Sequence, residues 1–69
     1  MTDIETLTEA FSKMGVHYAM GEHLGSKLIM LCSEEEAHEF RDDPERAYAA
    51  LKWGQYFEFG PEGDLWSYN

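Results

Sequence analysis

Imidazole, thiol and carboxylate groups are the side chains with which this sequence could do chemistry. The soft ligands are His17, His23, His38 and Cys32. A structural zinc site wants such groups in closely spaced pairs, C-x-x-C or H-x-x-x-H, so that one local turn presents two of them to one ion. No such pair occurs here. A metal-dependent sensor would instead need His17 and His23 to meet across a hairpin with Cys32 beside them, and histidines scattered over a polar surface are the simpler reading. Cys32 ends the apolar run 28–32, where a thiol packs as a small hydrophobe. A nucleophilic cysteine would call for an electropositive setting that favours the thiolate. With no second cysteine there is no internal disulfide, which fits a reducing cytoplasm. Carboxylates are plentiful, but an acid–base pair needs a cleft that holds two pKa values apart. A chain of 69 residues leaves little volume for one. Its six glycines form neither G-x-G-x-x-G nor a phosphate loop. Residue chemistry therefore argues against an enzyme, and for no metal and no cofactor.

Charge is more informative. Fourteen acidic against five basic residues give a net charge of −9. That argues against direct nucleic-acid binding, whose affinity comes from Lys and Arg on phosphates. Between residues 34 and 45 stand Glu34, Glu35, Glu36, Glu39, Asp42, Asp43 and Glu45 against the single base Arg41, a net −6 in twelve residues. On one helix Glu35 and Glu36 both stack against Glu39 and repel it, a cost of a few tenths of a kcal/mol per pair. One reading is a solvated face that keeps a small protein soluble. The other is a contact surface for a basic partner, with a density of carboxylates approaching that of DNA phosphates.

The elements that must position these groups follow from spacing. Thr2 and Glu5 form a capping box, Ile4, Leu7, Phe11 and Met14 share a helix face, and Gly15 suits a left-handed cap. Val16, Tyr18 and Met20 alternate as a strand, 21–26 reads as a turn, and 27–32 is apolar on both faces, as in a central strand. Ser33 and Glu36 make a second capping box for a helix 34–41, ended by Asp42-Asp43-Pro44. Asp43 caps and Pro44 opens another helix, with Ala47, Ala50 and Leu51 as its buried face and Gly54 at its close. Two aromatic strands, 55–59 and 65–68, flank the turn 60–64. The expected fold is a single α+β domain over 1–69, ordered α-β-β-α-α-β-β. Its four-stranded antiparallel sheet comes from two hairpins, with the helices on one face. Residues 13–21 also align with 52–60 at an offset of 39, and Gly25 falls opposite Gly63. A duplicated helix–hairpin unit and convergence on common turn chemistry both account for this.

Both faces of the last hairpin are apolar. With Phe57 and Phe59 inward, Tyr56 and Glu58 point out, and either Leu65 or Trp66 with Tyr68 must join them. Aromatics on an open sheet face are what protein interfaces favour. The alternative is that Trp53 and Trp66 fold back over a thin core. No apolar run reaches the roughly 18 residues of a membrane span, and the first five residues lack a basic leader region.

In size, acidity and aromatic content the chain is similar to small phage- or mobile-element-encoded proteins that bind and block a host enzyme or defence complex. The resemblance implies an inhibitor or modulator; the carboxylate density of 34–45 allows DNA mimicry as one form of it and favours a generic acidic docking patch. The leading expectation is a cytoplasmic module docking on a basic protein surface. It would make contact through Glu34, Glu35, Glu36, Glu39, Asp42, Asp43 and Glu45, with Tyr56, Trp66 and Tyr68 as the aromatic anchor. The alternative is a structural subunit that self-associates as a homodimer through its aromatic sheet.

Overall fold

The computed structural model describes all residues 1–69. The elements run α1 (Asp3–Met14), β1 (Tyr18–His23), β2 (Ser26–Leu31), α2 (Glu34–Glu39), α3 (Pro44–Leu51), β3 (Tyr56–Phe59) and β4 (Leu65–Tyr68). All four strands form one antiparallel sheet in the order β1-β2-β3-β4. This is the α+β order that the spacing predicts.

Capping chemistry holds the helix starts. The Thr2 hydroxyl accepts from the Glu5 N–H at 3.3 Å, and Glu5 Oε1 accepts from the Thr2 N–H at 3.2 Å. Ser33 and Glu36 repeat the device at 3.2 and 3.1 Å. Asp43 Oδ1 accepts from the Arg46 N–H at 3.2 Å, and Pro44 fills the first turn, where its missing N–H costs nothing. Gly15 ends α1 in the left-handed region, at φ 73°.

The first hairpin is longer than the turn signals suggest. Its strands run through Gly21 and His23, leaving a two-residue turn, Leu24-Gly25, with φ of 49° and 85°. Gly21 lies in the strand rather than the turn because α3 passes directly above it. A Cβ there would collide with the Met30 methyl and touch Tyr48 Cβ at 3.5 Å. Ala19 and Ala47, both buried, make the same close approach of α3 to β1 workable.

The sheet is covered on both faces, which differs from the one-sided packing expected. Ala19 pairs with Met30 and Gly21 with Leu28, so these share a face, and with Phe40 and Ala47 they form the core beneath α2 and α3. Ile29 and Phe59, also fully buried, point to the other face. That face belongs to α1, whose Phe11 ring lies 5.8 Å from Tyr18 and 5.9 Å from Phe57. Two bonds moor the start of α1 to the last hairpin: Ile4 N–H donates to the Gly63 carbonyl at 3.0 Å, and Leu65 N–H to Asp3 Oδ2 at 2.9 Å. The alternation of helix surface also departs from expectation at Ala50, which is exposed, while Tyr48 and Leu51 flank Ala47 over the core.

The matched halves of the sequence are not spatial equivalents. Helices α1 and α3 lie on opposite faces, and Gly54, unlike Gly15, has no positive φ. The shared feature is the hairpin turn, where Gly25 and Gly63 sit at φ 85° and 88°.

Candidate interaction surfaces

The acidic segment is not one continuous helix. Phe40, buried, caps α2, and Arg41-Asp42-Asp43 turn the chain into α3. Three of the seven carboxylates are used within the fold. Glu36 closes its capping box, Asp43 caps α3, and Glu39 Oε2 accepts from Arg46 Nη2 at 2.9 Å. Arg46 in turn lies over the Phe40 ring, 5.2 Å from its centre. Its charge offsets part of the repulsion that the spacing of Glu35, Glu36 and Glu39 predicts. Glu34, Glu35, Asp42 and Glu45 remain exposed, with no hydrogen bond or ion pair inside the chain. Glu34, Glu35 and Glu45 stand in first turns, where the helix dipole favours them. All four lie on the side of the molecule where α2 and α3 cover β1.

The three hairpin aromatics do not share one surface. Tyr56 is half-buried against the core under α3. Tyr68 points to the α1 face, 6.2 Å from the Phe57 ring. A bulge opposite Glu58 and Phe59 takes Trp66 out of the alternation. Its indole lies on Gly60, where a Cβ would come within 2.7 Å, and its N–H donates to Asp64 Oδ2 at 2.9 Å. Neither tryptophan folds back over the core: Trp66 is 58% exposed and Trp53 83%. Leu65, also on the α1 face, borders an apolar crevice of about 310 Å³ with Leu7, Ala10, Phe57 and Phe59.

A groove that the aromatic pattern did not reveal opens between α3 and the outer half of the sheet. It encloses about 410 Å³. His23 and Tyr48 form one wall, stacked at 4.3 Å with ring planes 8° apart. Leu28 and Tyr56 lie along the sheet, and Lys52 and Trp53 hang over from the end of α3. Lys52 Nζ sits 4.9 Å from the Trp53 ring centre and 5.7 Å from that of Tyr48. Glu58 lies on the groove floor, a carboxylate in the middle of an aromatic strand. Its Oε2 is 2.9 Å from the Ser26 hydroxyl on β2, and its Oε1 accepts from the Ser67 hydroxyl on β4 at 3.2 Å. Ser26 Oγ is also 2.7 Å from the His23 carbonyl, so one hydroxyl proton serves two acceptors. The only sequence signal for this site was the isolated charge in Tyr56-Phe57-Glu58-Phe59.

His17 and His23 stand six positions apart along one extended stretch, roughly 20 Å at strand rise. They do not meet across the hairpin, and no cluster of three metal-ligating side chains occurs. Burial first, and then the charge of Glu36, push the Cys32 thiol above its ordinary pKa, so the thiolate is disfavoured. No helix is long and apolar enough to cross a membrane. Comparison with protein-family models, with curated proteins and with solved structures finds no match to this chain.

Proposed function

We propose that the chain is a protein-binding module, an inhibitor or modulator that acts in the cytoplasm by covering a basic surface of its partner. The observation that carries this reading is the division within the acidic segment. Glu36, Glu39 and Asp43 bond within the fold, whereas Glu34, Glu35, Asp42 and Glu45 are exposed and make no hydrogen bond or ion pair. Charge gathered on one side of a small molecule steers an oppositely charged partner and raises the association rate at low salt. The exposed aromatic nearest in the chain to these helices is Trp53, directly after α3, and it replaces Trp66 and Tyr68 as the favoured anchor. An exposed tryptophan beside a groove is the residue type that most often dominates binding energy.

The test is isolation of bound proteins from the source cells by the tagged chain and by a variant carrying Glu34→Gln, Glu35→Gln, Asp42→Asn and Glu45→Gln. These changes spare every cap and the Glu39–Arg46 pair. A partner retained by the unmodified chain at low salt should be released by salt and lost with the variant. Equal retention by both would overturn the reading.

A second reading is favoured by one specific feature. Strand β4 is the sheet edge farthest from α2 and α3, it is exposed throughout, and it carries no charge. Past Leu65, whose N–H is taken by Asp3 Oδ2, an edge with no charged side chain of its own is a template for pairing, here with a second copy whose acidic helices would stay remote. Sedimentation should then show a dimer that Ser67→Lys dissociates.

A further inference from the structure

We infer that the groove between α3 and β3 is a binding site for an arginine side chain presented by the basic partner. The inference rests on the acidic-docking reading and names the group that this groove would select. Three features meet here. First, groups of the chain itself use only part of Glu58's acceptor capacity. Its two oxygens have about four acceptor positions, yet it receives one proton from Ser67 and a share of one from Ser26. Second, hydroxyls from both neighbouring strands fix its orientation, and Ser26 is only 5% exposed. The carboxylate is thus held in place before any ligand arrives. Third, the aromatic wall already holds a cation, because the chain's own Lys52 lies over Tyr48 and Trp53. Lys52 makes no ion pair with Glu58, so ring contact and carboxylate are offered separately.

A guanidinium combines what these groups want. Its flat face stacks on an aromatic ring while its edge donates two parallel N–H bonds to a carboxylate. A lysine ammonium is more strongly hydrated and cannot do both at once. Lys52 competes for the rings, and an entering arginine displaces it toward solvent.

The experiment uses the isotopically labelled full chain titrated with N-acetyl-arginine amide, with the matching lysine and citrulline compounds in parallel. The Trp53 indole N–H and the amides of Ser26, Tyr56 and Glu58 should shift saturably in the millimolar range. Arginine should bind more tightly than lysine, and uncharged citrulline should give no saturable shift. Trp53→Ala, at a residue 83% exposed, and Glu58→Gln should each abolish the response. Lys52→Gln should tighten binding several-fold. Absence of saturable shifts in the groove, or an equal response to citrulline, would overturn the inference. Shifts confined to residues 34–45 would overturn it too, while leaving the acidic-docking reading standing. A full groove response together with equal partner retention by the fourfold neutral variant would sink that reading instead.

Discussion

Adjacent aspartates at the α2–α3 junction offer a controlled comparison. Asp42 and Asp43 carry the same charge, and removing either relieves the same local repulsion. Only Asp43 accepts a backbone N–H, that of Arg46 at 3.2 Å. Replacing a capping aspartate by alanine costs about 1 kcal/mol, within a range of about 0.5–2. For a domain of this size each kcal/mol at the midpoint moves the melting temperature by about 4–8 °C. Asp43→Ala should therefore melt several degrees below Asp42→Ala, which should lie near the unmodified chain or slightly above it. Asp43→Asn keeps a capping oxygen and should recover most of the loss. Circular dichroism at 222 nm during heating reads all three variants. Equal melting temperatures for Asp42→Ala and Asp43→Ala would refute the division of the acidic segment into structural and free carboxylates.

Other consequences follow from particular contacts. Gly21→Ala forces a methyl against Met30 and should cost about 1–3 kcal/mol. Met30→Leu, which removes the obstructing methyl, should recover part of that cost in chemical denaturation. Glu39→Gln breaks an ion pair whose partners are both more than half exposed, so its effect on stability should stay within about 0–1 kcal/mol. In Glu5 the bonds from Thr2, its side chain first, hold the carboxyl below its ordinary pKa. A carboxyl lowered by folding stabilises the fold fully above its unfolded value, and that contribution fades as pH falls through the lowered one. Thr2→Val removes the hydroxyl bond and leaves the one from the Thr2 backbone N–H, so the Glu5 titration, followed by carboxyl NMR shifts, should rise toward the ordinary range and that part of the acid-side slope should shrink. An unchanged Glu5 titration would contradict the capping-box assignment. Cys32, with its thiolate disfavoured, should react with iodoacetamide more slowly in the folded chain than in denaturant at the same pH.

Helix starts were legible because capping is local: Thr2 with Glu5, Ser33 with Glu36, and Asp43 before Pro44 each act over three or four residues. Strand pairing was legible for a similar reason, since each hairpin closes on a glycine turn. The face taken by α1 was not, because it depends on contacts such as Phe11 with Phe57, 46 positions away. The uninterrupted run Leu28-Ile29-Met30-Leu31 is itself a sign of cover on both faces, but it does not say which helix covers which. Gly21 reads as a turn residue until α3 is placed above it. The acidic cluster was visible as composition, yet only pairing distances separate Glu36, Glu39 and Asp43 from the four free carboxylates. Glu58 is the clearest omission. One charge in an aromatic strand has no meaning until Ser26 and Ser67 arrive from both sides and Trp53 from above.

Hydrogen exchange on the complex with the captured partner tests the docking account most directly, since it reports which backbone amides the partner covers. Protection should rise in Glu34–Glu39, in the first turn of Pro44–Leu51 and around Trp53, and high salt should reverse it. Protection confined to Leu65–Tyr68, with exchange in both acidic helices unchanged, would contradict the account.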